Sequence, residues 1–526
     1  MGMLDGFRGK DFLEQVSILN EIAIAKPAEA FDGLLELFLN PVKDTSIDYM
    51  VANALNAVLS GDEARAVQGI ASGPEALRIL CIRVAGEYRF KAAVPALVAL
   101  AEGGQDPDRL MEVLTALFKI REPSTLPVFR RHLAGPDAFA AALCIEMIGV
   151  FKDAGSIPAL EAFLEQNEAD DRFERCEITT WKAVDALAAI DSEETRAFLV
   201  QKLHHRNPTV RRIVTDALIR VGEAALPHLA RAFEGDPDRA ILAANVIGFI
   251  GSRKGADALV GAIDHGLVRD ANLKYAVYEA LGRLGTMKGI VCLVDGLAEP
   301  DELILMAVVG GLDRHVNPGV LKALSGLVAA GGEQAARLAR AVIASRATRL
   351  FSALYESEAA AAVLVETLIR SRDREVVEAF RAALAALGTP RAAADLARLP
   401  AARTAARKAL AADDSRSMLA LHRAILSDLG FEPLVSTNVA DAYAHVEQGE
   451  PVEFVVTDMN MPVMDGMEFV RKLRATPGFE AVPVIMVTTE SEASQRGLAA
   501  KSGVTAFITK PFRPDALKAK IKEVLG

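Results

Sequence analysis

The chain has 526 residues, half of them hydrophobic and a quarter charged, a globular composition that excludes wholesale disorder and is too long for one ordinary core. At least two domains are therefore expected. A formal net charge of -11 argues against a nucleic acid as partner. No apolar run approaches the ~18 residues of a membrane helix, and Met1-Gly2-Met3-Leu4-Asp5-Gly6 has no basic segment leading into an apolar one. No membrane insertion and a cytoplasmic location are expected, and the four cysteines, none in a C-x-x-C pair, fit a reducing compartment as buried free thiols.

Residues 1–80 have a helical pattern out of phase with the repeats beyond them, as a cap would be. From residue 81 to 345 one phrase recurs: an Ala/Leu-rich helix end, a small residue or turn, then a new helix often opened by proline. Ala217-Leu218-Ile219-Arg220-Val221-Gly222, Val246-Ile247-Gly248-Phe249-Ile250-Gly251 and Ala280-Leu281-Gly282-Arg283-Leu284-Gly285 are successive copies. Copies end near Arg89, Arg121, Lys152, Asp191, Gly222, Gly251, Gly285 and Asp313, at intervals of roughly 30 residues, within the range of helical-repeat periods. Each interval holds two helices of about a dozen residues and two turns. Pro95, Pro127, Pro158 and Pro227 fall in first helical turns, where no hydrogen bond is lost. Asp106-Pro107, Asn207-Pro208 and Asp236-Pro237 supply a cap and a proline between the two helices of a pair. A pair of this kind cannot bury its apolar face alone, so neighbours must stack.

These residues resemble the HEAT-like repeats of the phycobilisome-lyase type, which implies an all-α superhelical solenoid. A repeat specifies an architecture and not a chemistry. Its expected use is as a binding surface for a protein partner the sequence does not identify; a spacer or a self-association element is the alternative, and a homo-oligomer is compatible with it. A chromophore-lyase activity has no support beyond the repeat. His204-His205 reads as a solvated helix end, the basic cluster Arg211-Arg212 as solvent-facing, and Trp181, the single tryptophan, as core. Residues 346–400 read as further helices, a C-terminal cap and a linker, with Pro390 and Pro400 bracketing a short helix.

Residues 404–526 change character: short apolar strands alternate with helices, the pattern of a parallel α/β sheet. Strands are expected at 406–412, 431–436, 452–457, 483–488 and 505–509, with helices at 418–429, 439–448, 465–474, 492–502 and 514–525. Five of each in about 120 residues suit a flavodoxin-like, doubly wound domain, whose site lies at the carboxyl ends of the strands. Strand one ends in Asp413-Asp414, strand three in Asp458, strand four in Thr488 and strand five in Lys510. Three carboxylates meeting at one point repel, so a divalent cation is expected among them. Oxygen-only ligands favour a hard ion, Mg²⁺. A lysine and a hydroxyl beside it make a phosphoryl site.

Asp413-Asp414-Ser415-Arg416, the run from Asp458 through Asn460-Met461-Pro462 to Met464-Asp465-Gly466, Thr488 and Lys510-Pro511-Phe512 resemble the receiver domain of two-component response regulators, most of all its chemotaxis CheY-like branch. That resemblance implies Asp458 as phosphoacceptor for a histidine kinase. It implies Asp413, Asp414, Asp458 and the backbone carbonyl of Asn460 around Mg²⁺, Thr488 and Lys510 on the phosphoryl group, and a cis Lys510–Pro511 bond. Phe507 falls at its aromatic switch position, and Asn460 and Glu490 at positions that tune autodephosphorylation. The chain ends just after the last helix of this domain, so output by protein–protein contact is expected, with no enzymatic activity beyond the domain's own phosphotransfer and autodephosphorylation. Thr488 and Phe507 would couple the site to the face of helix four, strand five and the last helix, and so to the solenoid or an outside partner. The alternative is a constitutive scaffold whose receiver acts as a phosphate sink.

Overall fold

The computed structural model describes residues 3–526 apart from 42–43, 105, 170–177, 206, 372, 400–406, 462–463, 489–502 and 511. The chain divides into two compact units: Met1–Gln166 with Glu177–Asp191, and Asn167–Cys176 with Ser192–Gly526. No helix among the described residues is long and apolar enough to cross a membrane.

The first unit is built of helical hairpins. Helices Thr45–Leu59, Pro107–Ile120 and Ala138–Phe151 each begin where an aspartate (Asp44, Asp106, Asp137) accepts hydrogen bonds from first-turn amides. Pro95, Pro107 and Pro127 sit in first turns, where proline removes no hydrogen bond. The helices end sharply. Arg89, Arg121, Lys152 and Asp191 adopt positive-φ backbone conformations, and in the second unit Gly251 and Gly285 are left-handed while Gly222 has positive φ with an extended ψ. These are the repeat ends read from the sequence; only Asp313 differs, being the last residue of a helix. A left-handed terminator lets the last amides turn back onto the helix carbonyls, so the chain can reverse within a few residues. Trp181 is not core: it is 51% exposed.

In the second unit the repeats continue with α1 (Pro208–Val221), α2 (Pro237–Ile250), α3 (Ala271–Leu284), α4 (Glu302–Asp313) and α5 (Gly332–Ala344), each from α1 to α4 capped by an Asn or Asp. These helices stack side by side in one layer, α1 on α2 through to α4 on α5. Close approach depends on small residues. A Cβ on Gly282 would lie 2.6 Å from the Gly311 Cα, and one on Gly248 3.0 Å from the Ala280 Cα. Helices Thr348–Leu354, Glu358–Arg370, Arg374–Leu387 and Pro390–Arg398 complete the all-α region.

The remainder is a parallel sheet with strand order β2-β1-β3-β4-β5: β1 (Lys408–Ala412), β2 (Glu432–Ser436), β3 (Val452–Asp458), β4 (Val484–Thr488) and β5 (Ala506–Thr509). Its helices are α6 (Arg416–Asp428), α7 (Val439–Glu447), α8 (Gly466–Arg474) and α9 (Pro514–Leu525). Helix four, Glu490 and the Lys510–Pro511 bond lie outside the described residues. Both faces of the sheet are covered, so its strands read as near-continuous apolar runs. One core joins Phe454, Val456 and Ile485 to α6 and α9; the other joins Val455, Val484 and Met486 to α7 and α8. The N-terminal region is thus all-α and the C-terminal region a five-stranded flavodoxin-like α/β domain.

Candidate functional site

The order β2-β1-β3 reverses the chain's direction of winding at β1/β3, and the loops after these strands open a crevice at their carboxyl ends. Pairing of Ala412 with Thr457, and of Asp458 with Val487, brings the ends of β1, β3 and β4 level. The residues just beyond those ends are the polar ones. Carboxylate oxygens of Asp413, Asp414 and Asp458 all lie within 4.8 Å of one another. Lys510 Nζ is 3.0 Å from Asp413 Oδ2 and 3.2 Å from Asp458 Oδ2. The Lys510 amide donates to the Thr488 carbonyl, which ties the end of β5 to β4. Asp413 and Thr488 are fully buried and Asp458 nearly so.

The loop after β3 is shaped by a glycine. A side chain at Gly466 would overlap the Asp458 carbonyl oxygen, and the Gly466 amide donates to Met459 O at 3.0 Å. Asp465 then caps α8 by accepting from the Glu468 amide. After β1, Ser415 caps α6 and its amide donates to Asp413 Oδ1 at 2.9 Å. Phe507 is half-buried on β5, opposite Met486, and packs on the core beneath the site.

Electrostatics follow from burial. Burial pushes the Asp458 carboxyl up to about 7; Lys510 opposes this, and Asp413 and Asp414 add to it. Asp414 rises to about 6, first from burial and then from Asp413, against Arg283 and Lys510. Burial alone would lower Lys510, but the Asp413 and Asp458 carboxylates overcome it and hold the ammonium charged. Two buried carboxylates and the half-buried Asp414 facing one ammonium leave negative charge uncompensated. Their all-oxygen donor set suits a hard divalent cation.

The helical repeats also reach this site. Tyr275 Oη and Ser415 Oγ are hydrogen-bonded, and Ser415 Oγ donates to Glu279 Oε1 at 3.2 Å. Thr209 Oγ1 donates to Asp465 Oδ2 at 3.1 Å, and Arg211 Nε to Asn460 Oδ1 at 3.3 Å. A cavity of about 60 Å³ is walled by Asn245, Glu279 and Arg283 on one side and Asp414, Asp458 and Lys510 on the other. Helix α6 itself lies against α4 and α5. Arg211 is therefore not a solvated charge: it is 5% exposed, and it also donates to the carbonyl of His205, a second buried residue of that supposedly solvated segment. The described contacts with the repeats come from α6 and from the chain after β1 and β3, with Lys510 after β5 lining the shared cavity; helix four, part of the expected face, lies outside the described residues.

Every sequence-predicted site residue among the described ones, which excludes Glu490, falls at this crevice or beneath it. Asp413, Asp414, Asp458 and Lys510 converge directly, Thr488 closes the end of β4, Asn460 comes two residues after Asp458 on the same loop, and Phe507 sits on the adjoining strand. Sequence reasoning missed Tyr275, Glu279, Arg283, Asn245 and Thr209. One signal was present: Asp216, Asn245 and Glu279 are spaced by the repeat interval itself, so three polar residues occupy one repeat position on stacked helices.

Residues 409–522 match the family described as response regulator receiver domain, and residues 174–244 the one described as HEAT repeats. The chemotaxis protein CheY homolog of Campylobacter jejuni is 39% identical over 120 residues, 23% of this chain and 92% of that protein. Chemotaxis protein CheY1 of Helicobacter pylori is 38% identical over 120 residues, 23% of this chain and 97% of that protein. Among solved structures, the chemotaxis response regulator CheY4 of Vibrio cholerae is 33% identical and covers 23% of this chain and 98% of its own, with a TM-score of 0.22.

Proposed function

We propose, from the premise that this chain belongs to the response regulator receiver family through residues 409–522 and carries HEAT repeats ahead of them, that a histidine kinase phosphorylates it on Asp458 and that its output is protein–protein contact. The observation that carries this reading is the convergence of Asp413, Asp414 and Asp458 with Lys510 at the carboxyl ends of the strands. An oxygen of the Asp458 carboxylate attacks the phosphorus of a phosphohistidine. The P–O bond forms as the P–N bond breaks, and the electron pair left on the imidazole nitrogen takes a proton from solvent. Lys510, 3.2 Å from Asp458, offsets the charge of the attacking carboxylate and binds a phosphoryl oxygen. Thr488 supplies a hydroxyl to another. Asp413, Asp414, Asp458 and the Asn460 carbonyl would hold Mg²⁺, which when bound neutralises charge on the transferring group.

The domain's chemistry is confined to its own carboxylate: phosphotransfer in, hydrolysis out, with no other substrate. Phosphorylation shifts the site between two states, and Phe507, half-buried on β5 opposite Met486, is the side chain that follows the shift. The relatives' names support a chemotaxis-type pathway. Protein output is supported by aromatics left open on the repeats: Phe139 and Trp181, 70% and 51% exposed, lie on two helices that pack together. A cytoplasmic setting fits the buried unpaired thiols Cys81, Cys144 and Cys292. The test is labelling by acetyl phosphate in Mg²⁺: Asp458→Asn abolishes it, and label retained on another residue overturns the assignment.

A further inference from the structure

The second wall of the crevice is made by the repeats, and one of its groups lacks a partner. Arg283, on α3, stacks its guanidinium over the Phe249 ring at 4.3 Å, and its Nη2 donates to Glu279 Oε2 at 3.2 Å. Its Nη1 is buried and, among the described residues, has no hydrogen-bond partner. A buried unpaired donor is expensive and calls for an acceptor. Arg283 lines the cavity that Asp458, Asp414 and Lys510 line from the other side. Its volume, about 60 Å³, exceeds the roughly 10–15 Å³ that a single water needs. It has room for a phosphoryl group on Asp458, with Arg283 on the wall that faces that carboxylate. A planar guanidinium with one nitrogen engaged and one open is suited to a phosphoryl oxygen.

We propose that Arg283 is a phosphoryl-binding residue supplied by the HEAT repeats: with α3 docked on the receiver, its open Nη1 donates to a phosphoryl oxygen on Asp458. The docked state then holds the phosphorylated site and excludes the donor, so phosphotransfer takes place undocked and the repeats close over the product. Phe249 fixes the plane of the guanidinium, and Glu279 holds Nη2, leaving Nη1 as the group that reads phosphorylation. This rests on Asp458 being the phosphoacceptor.

The test uses the full chain with Mg²⁺ and beryllofluoride, a phosphoryl mimic, followed by calorimetry. Arg283→Gln weakens binding tenfold or more, as expected for loss of a charge-assisted hydrogen bond, and Arg283→Lys weakens it less. Lys288→Ala, which breaks only an exposed pair with Asp257, leaves it unchanged. Asp458→Asn abolishes it. Arg283→Gln within twofold of the parent while Asp458→Asn abolishes binding overturns the inference and leaves the phosphoacceptor intact. Binding that survives Asp458→Asn removes the phosphoacceptor first. In the parent chain, beryllofluoride slows hydrogen exchange over residues 271–284; faster exchange there, meaning that the mimic releases the repeats, also overturns it.

Discussion

Asp458 shows how much of the site's behaviour comes from burial. Its carboxyl is raised from 3.8 to about 7, chiefly by removal from water. Between those values the folded chain holds a proton that the unfolded chain has lost, so this residue's contribution to stability falls as pH rises from about 4 to about 7. By linkage the span is worth at most about 4 kcal/mol. Asp458→Asn cannot ionise and escapes the loss. In chelator, its melting temperature relative to the parent should climb across that window; in excess Mg²⁺, where the parent's carboxylate gains a counter-charge, the climb should vanish. Parallel melts of the two proteins at pH 4 to 8 check this, and a difference independent of pH in chelator would count against a buried, proton-holding Asp458.

At the scale of elements, the layer α2 to α5 is spaced by glycine and alanine. Gly282 and Gly311 meet backbone to backbone, with no room for a Cβ. Gly282→Ala should therefore push α3 from α4 and destabilise the full chain by about 1–3 kcal/mol, the usual effect of overpacking. Gly326, in the helix Pro318–Ala330, faces open space, and Gly326→Ala should stabilise by about 0.5–1 kcal/mol through helix propensity. Urea unfolding of both variants beside the parent separates the two effects. Elements are also where the sequence was most legible. The Asp-Pro and Asn-Pro caps, the positive-φ residues at Arg89, Arg121, Lys152 and Asp191, and the carboxylates closing β1 and β3 are local events, set by a few neighbouring residues. Arg211 was read wrongly because it reaches Asn460 on the loop after β3, which is remote in sequence and meets it only in the folded chain, and His205 because it is buried with Arg211, which donates to its carbonyl. Trp181 was read as core because helical context does not say which face a neighbour covers. Asp216, Asn245 and Glu279 could have been found, since a polar residue recurring at the repeat interval marks a shared face that something must cover.

The second unit as a whole joins a receiver to the layer of repeats by ionic contacts as well as by hydrogen bonds at the site. Arg423, on α6 and 3% exposed, contacts Glu375 and lies 3.8 Å from the buried Asp373 carboxylate. Burial raises Asp373, and backbone donors and Arg423 hold it down. Removing the guanidinium would leave Asp373 buried without its countercharge, a change that typically costs about 3–5 kcal/mol where a pair is fully enclosed. The chain has a less costly response than unfolding: the receiver lifts from α4 and α5, and water reaches Asp373. Arg423→Ala should therefore shift the population toward the undocked form, with faster hydrogen exchange over residues 302–313 and 416–428. Because the repeats wall the cavity over Asp458, the same variant should be labelled by acetyl phosphate several times faster than the parent. The buried pair of Arg423 and Asp373 would then set how often the acceptor is exposed, with no contact to the acceptor itself. Faster exchange at both helices with an unchanged labelling rate would separate docking from access and show that the repeats do not gate Asp458.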